Sequence, residues 1–235
     1  MLTAEEQQYL ESIWSDPKHA GSFSGPYKLY QVVKKDGKFK IGLTRIREFL
    51  SGQDAYTLQR HVKRKFKKRR VIVNGLDSQW DGDLMDVSNL SKHNDGIHHI
   101  LVLQDIFSRF LFTVPLKRKT AEEMVNGLKT VFAKGRQPSL ARFDKAFKTV
   151  LVQDYLRSIN VHVIFTENTA TKADYAERRI KDLKSRMFRM LTFNNSYRYI
   201  DRLQDITDSI NNTPSIPIGG ITPAEVNKKT KTKSG

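Results

Sequence analysis

At 235 residues the chain has enough material for one or two domains with an ordinary core. Its 38% apolar and 28% charged residues read as soluble and globular, no apolar run nears the roughly 20 residues of a membrane span, and the lack of cysteine excludes disulfides, thiol catalysis and cysteine-ligated zinc. A net charge of +16, from 41 Lys+Arg against 25 Asp+Glu, favours a polyanionic partner, and composition alone leaves DNA, RNA and an acidic membrane surface open.

The first residues carry acids where a secretory signal would carry a basic and then an apolar segment, so export is not expected. Thr3 with Glu6 three positions on predicts a capped helix start, and Leu10, Ile13 and Trp14 recur at helical spacing. The loop GSFSGP follows. Leu29, Val32 and Val33 mark a second helix, stopped at Asp36-Gly37. Leu43, Ile46, Phe49 and Leu50 mark a third, stopped at Gly52. Residues 1–58 therefore read as a small helical domain with basic outer faces, similar to a helix-turn-helix module. Residues 59–73 read as a basic linker. Its stretch 60–70, RHVKRKFKKRR, holds eight Lys/Arg and no acid. Lys63, Arg64, Lys67, Lys68, Arg69 and Arg70 are candidate phosphate contacts there, of the kind that weaken steeply with salt.

From residue 74 to 226 strands and helices alternate. Strands are predicted at 83–87, 97–106 and 109–116, with a turn at 105–108. Thr120 caps a helix over 121–132, a strand follows at 139–143, and a helix spans 147–159. A strand at 161–165, a long helix at 170–191 and a helix at 199–210 complete the core. The tail 227–235 is basic and of disordered composition. Three strands joined by turns, then strands alternating with helices, predict an α/β fold. It is a mixed five-stranded sheet with helices on both faces, the ribonuclease-H-like arrangement.

Three acids stand at telling places. Asp83 is on the first strand, Asp144 ends the fourth, and Glu177 lies near the start of the long helix. In this strand order the first and fourth strands are neighbours and the helix can cross their ends. Phosphodiester transfer needs an activated attacking oxygen and a stabilised leaving oxygen, which two Mg2+ or Mn2+ ions about 4 Å apart supply. Hard-oxygen ligands suit those ions, and gathered carboxylates need such neutralisation. Glu177, Lys181 and Lys184 share one helix face, so an acid for metal and two lysines for phosphates lie together. The plainer reading of that face is a solvated Glu–Lys pair.

The motifs resemble a known family. Trp80-Asp81-Gly82-Asp83 resembles the Trp-x-x-Asp that opens retroviral-type integrase cores. The stretch HHILVLQDIFSRFLFTVPLKRKTAEEM, with Asp-x-Phe-Ser at Asp105 to Ser108, looks like that family's second and third strands and the helix after them. Phe143-Asp144 takes the place of the second acid, KADYAERRIKDLK resembles the signature around the catalytic glutamate, and TPAEV matches a common end of the core. QWDGDLMDV, GSFSG and FLSGQDAYTLQ are closest in flavour to integrases of Polinton/Maverick DNA transposons. The resemblance implies a DDE-type polynucleotidyl transferase of a mobile element that trims DNA ends and joins them to target DNA. Asp83, Asp144 and Glu177 would then be the catalytic acids that hold two ions, Mg2+ or Mn2+, with no zinc. Lys172, Lys181 and Lys184 would contact DNA, the chain would act as a homo-oligomer, and in a eukaryote it would be nuclear.

The sequence also departs from the family. Where the family has Asp-x-Gly-x-Glu-Phe, this chain has Asp144-Lys145-Ala146-Phe147, shorter and without the glycine. Arg-Phe-Asn becomes Arg178-Arg179-Ile180, and the later Tyr-Asn appears as Ile210-Asn211. The alternative is therefore a weak or inactive domesticated integrase that binds DNA, with a ribonuclease H as a third reading. Asp86 is a second candidate for the first acid, but Trp80 sets the register in favour of Asp83.

Overall fold

The computed structural model describes residues 2–59, 72–166 and 174–227. Packing divides the chain into two compact units. Among the described residues, one holds 73–166, 174–181 and 226–227. The other holds 2–59, 72 and 182–225, so the boundary falls inside a single long helix.

The sheet unit holds five strands, β1 (Gln79–Asp86), β2 (His99–Asp105), β3 (Leu111–Leu116), β4 (Leu140–Asp144) and β5 (His162–Thr166). Their spatial order is β3-β2-β1-β4-β5. β1 pairs antiparallel with β2 and β2 with β3, whereas β1–β4 and β4–β5 are parallel. This is the mixed sheet expected from three strands joined by short turns and two reached through helical crossovers. The crossovers are α5 (Ala121–Phe132) and α6 (Val150–Ser158). Alternation along β1 sends Trp80 and Gly82 toward them. Trp80, Leu103, Phe112, Leu128, Val131, Phe143 and Leu156 share one core.

Gly82 is required in that core. A Cβ there would collide with the Phe143 ring and stand 2.7 Å from Leu103 Cδ2. Asp81 and Asp83 point to the opposite face. There the first turns of α7 (Asp174–Phe193) pack, Tyr175 hydrogen-bonding Asp81 through its backbone N–H.

In the other unit the N-terminal helices are α1 (Ala4–Ser15), α2 (Pro26–Asp36), α3 (Leu43–Ser51) and a short α4 (Asp54–Thr57) that the sequence did not signal. The expected capping box forms, Glu6 N–H donating to Thr3 and Thr3 N–H to Glu6. Leu10, Trp14, Leu29, Ile46 and Leu50 are fully buried. The second part of α7 and α8 (Leu203–Asn211) join this unit through buried arginines. Arg186 donates to Ser209 Oγ at 2.5 Å and Thr213 Oγ1 at 3.0 Å, and Arg189 donates to the Phe23 carbonyl at 2.7 Å while lying over the Tyr56 ring.

Glu225 closes the unit's C-terminal end. It accepts from Lys35 at 2.5 Å and from Thr222 N–H at 2.9 Å. The Lys35 ammonium first, and the Thr222 amide second, lower its pKa to about 2. A depressed carboxylate stabilises above its unfolded pKa and loses that contribution as pH falls through the folded value. The stabilisation should therefore be complete above pH 4.5 and gone near pH 2. Both partners are half exposed, so screening holds it under about 1 kcal/mol. Urea titrations of Glu225→Gln beside wild type should differ by that amount at pH 7 and converge near pH 2. An equal gap at both pH values would overturn this.

Several element boundaries move. β1 starts four residues earlier than its predicted strand, and a 3-10 turn over Ser88–His93 follows it. The segment expected to begin helix α6 at Phe147 is instead a separate 3-10 turn, Lys145–Phe147, with Thr149 accepting from Val152 N–H to start α6. Similarly Ile200–Arg202 forms a 3-10 turn before α8. The predicted start of α7 at 170–173 and the tail 228–235 lie outside the described residues.

Candidate functional site

The β1–β4 register creates the site. Gln79, Trp80, Asp81 and Gly82 pair in order with Leu140, Ala141, Arg142 and Phe143. One step further the same register sets Asp83 beside Asp144. Neighbouring strands lie about 5 Å apart, and side chains at paired positions of a sheet share a face. That face is the one that carries Asp81 and Arg142, which meet through two short hydrogen bonds, Nε to Oδ1 at 2.9 Å and Nη2 to Oδ2 at 2.6 Å. Both acids are half-buried. Asp83 Oδ1 accepts from the Leu84 N–H at 2.7 Å. Asp144 is also paired with Thr166 of β5, so it is held between two strands.

Asp86 does not share this position. It pairs with His99 at the far end of β1, is exposed, and accepts from Ser88 N–H at 2.8 Å, which makes it a turn residue.

Glu177 is half-buried in the first turns of α7, and Lys181 is exposed while Lys184 is half-buried on the same helix. Two carboxylates on adjacent strands are a donor set that suits a hard divalent cation, which keeps part of its water shell and takes further oxygens from substrate. Among the described residues, no group of three or more His, Cys, Asp or Glu that could hold a metal forms. Lys172, Lys63, Arg64, Lys67, Lys68, Arg69 and Arg70 lie outside the described residues.

The glycine missing after Asp144 has no counterpart in the backbone. None of Lys145 to Lys148 has a positive φ. The 3-10 turn closes with ordinary dihedrals, and Phe147 stacks on Phe143 at 4.6 Å to fix it. The shorter loop thus solves its geometry by stacking, and Ala146 is compatible with it.

Sequence reasoning missed the residues around the acids. Asp81 is completely buried, and burial raises its pKa against the lowering effect of Arg142 and the Tyr175 amide. Arg109, in the β2–β3 turn at φ 65°, lays its guanidinium 4.4 Å from the centre of the Tyr175 ring and donates to that side chain. Burial lowers the Arg109 pKa, and its Nε and Nη1 make no hydrogen bond among the described residues. The available signal was the W-D-G-D alternation. It places two acids on one strand face, of which one must find a cation.

No family model matches the chain. A transposon-derived protein of Caenorhabditis elegans is 34% identical over 136 residues, which cover 57% of this chain and 47% of that protein. The chain therefore spans about half the length of the curated relative it matches. A chain of the simian T-cell lymphotropic virus intasome, solved by cryo-electron microscopy in complex with PP2A regulatory subunit B56 gamma, aligns with a TM-score of 0.63 at 17% identity. The alignment covers 93% of this chain and 71% of that one. The structural likeness shows the fold, and the strand order β3-β2-β1-β4-β5 with flanking helices is a ribonuclease-H-like α/β fold.

Proposed function

We propose that this chain is a metal-dependent DNA integrase of a mobile element, a polynucleotidyl transferase of the Polinton/Maverick kind that processes DNA ends and joins them to target DNA. The observation that supports the reading is the β1–β4 register, in which Asp83 and Asp144 each follow the Gly82–Phe143 pair on the face where α7 begins. Asp83, Asp144 and Glu177 would hold two ions, Mg2+ or Mn2+, which neutralise charge on the attacking and leaving oxygens when bound. The chain's own part is to present the two strand carboxylates at one rigid sheet position, half-screened from water. Lys181, exposed one turn beyond Glu177, grips a backbone phosphate, and Lys184 and Lys172 extend that contact. The basic stretch with Lys63, Arg64, Lys67, Lys68, Arg69 and Arg70 adds salt-sensitive affinity. Joining two DNA ends calls for more than one copy, so the working form is a homo-oligomer, placed in the nucleus of a eukaryotic host.

A second reading is a DNA-binding protein descended from such an enzyme. The shortened turn after Asp144, which departs from the family's pattern, favours it. Strand transfer on a labelled DNA duplex with Mg2+ or Mn2+, wild type beside Glu177→Gln, separates the two. Joining by wild type alone establishes the integrase and its third acid. DNA bound without any product, across a panel of duplex ends, establishes the binding protein.

A further inference from the structure

We infer that Asp81 is a positioning residue, a buried hub that ties together the three elements carrying Asp83, Asp144 and Glu177. The inference deepens the integrase reading and rests on it for the roles of those acids.

Each element is held by a separate bond. Asp81 lies on β1 two residues before Asp83 and on the same face, with no exposed surface. Its Oδ1 and Oδ2 accept from Nε and Nη2 of Arg142, two residues before Asp144 on β4. It also accepts from the backbone N–H of Tyr175, two residues before Glu177 on α7, and from the Gln79 side chain. Asp81, Arg142 and Tyr175 thus each stand two residues upstream of a candidate acid. One carboxylate with about four lone-pair directions can satisfy all of these donors.

A second anchor fixes how α7 is turned. The Tyr175 ring lies against the Arg109 guanidinium on one side, and Arg178 stands 5.8 Å from its centre. Arg109 keeps a left-handed backbone to reach this place, a conformation that a non-glycine residue holds only when its surroundings over-determine it. With Tyr175 pinned at both its amide and its ring, the rotation of the first turn of α7 is set. Glu177, 200° further round the helix, is set with it. Arg142 meets Asp81 inside the sheet, Nη2 donating to Oδ2 at 2.6 Å, so the hub orients the acids through fixed hydrogen bonds.

The variants are Asp81→Asn and Tyr175→Pro in the full chain. Asparagine keeps the size and loses the charge. Proline removes the Tyr175 amide hydrogen at a first-turn position that tolerates it, and Tyr175→Ala, which loses the ring but keeps the amide, is read beside it to separate that bond from the Arg109 contact. Amide hydrogen exchange is read for residues 178–181, together with the Mn2+ concentration for half-maximal strand transfer and the affinity for duplex DNA. Both variants should raise exchange in that helical turn at least tenfold while β2 and β3 stay protected. They should also raise the Mn2+ midpoint about tenfold with DNA affinity within twofold. Unchanged exchange at 178–181 in both, or exchange rising equally throughout the sheet, would overturn the hub. If wild type joins no DNA, the integrase reading fails, and the exchange measurements still decide whether Asp81 and the Tyr175 amide hold α7.

Discussion

Asp144→Asn should abolish strand transfer, by more than about 100-fold, while duplex DNA is bound within a fewfold of wild type. The lower bound follows from metal sites generally, where even groups that only support a ligand cost 10–100-fold. The substitution keeps the shape of the side chain. β4 retains its backbone pairing with β1 and β5, and Phe143 remains in the core. What goes is one of two like charges at neighbouring register positions. Paired like charges across strands are destabilising by a few tenths of a kcal/mol to about 1 kcal/mol. The metal-free variant should therefore melt at the same temperature as wild type or slightly above it.

Added Mn2+ should separate the two proteins. At about ten times its Kd a ligand that binds only the folded state stabilises by roughly 1.4 kcal/mol, a few degrees in melting temperature for a unit of this size. Wild type should show that rise and Asp144→Asn should not. Undiminished strand transfer in the variant would remove Asp144 from the catalytic set, whatever the melting curves do.

How much of this was legible in the sequence differs from residue to residue. The strand order followed from turn-joined strands succeeded by alternating helices, and the Thr3–Glu6 box and the 121–132 helix formed where spacing put them. That Asp83 and Asp144 each follow the last β1–β4 pair, Gly82 with Phe143, needed one fact that sequence lacks, the offset between two parallel strands 61 residues apart. An offset of one residue would have sent Asp144 to the other face. Asp81, Arg142, Arg109 and Tyr175 were not legible as a group, since their meeting depends on that register and on where α7 enters. The turn after Asp144 was legible only as a departure from the family, shorter and without its glycine; how it closes, by aromatic stacking of Phe147 on Phe143 with ordinary φ values, was not.

The Asp-x-Phe-Ser signature gains a physical meaning, and with it the largest expected loss of stability. Asp105 is fully buried and accepts from Phe107 N–H, Ser108 N–H and Ser108 Oγ, so the motif is a self-bonded turn between β2 and β3. Its charge is met by Arg136, whose Nη2 donates to Asp105 at 2.8 Å and to Asp77 at 2.6 Å. The same guanidinium lies 5.1 Å from the centre of the Phe110 ring and 5.8 Å from that of Trp80. Asp77 in turn accepts from Trp80 Nε1 at 2.9 Å, so one arginine fastens the entry to β1 and the β2–β3 turn together. Removing one partner of a buried pair costs about 3–5 kcal/mol, because the other charge is left without compensation. Arg136 is 22% exposed, which places the expected loss for Arg136→Ala at the low end of that range, about 3 kcal/mol. Arg136→Lys should lose less, since it keeps the charge but not the fork that reaches both acids. Urea unfolding of the three proteins at pH 7 reads the order directly. A loss under about 1 kcal/mol for Arg136→Ala would mean that water replaces the guanidinium at Asp105, and that the turn is held by Ser108 alone.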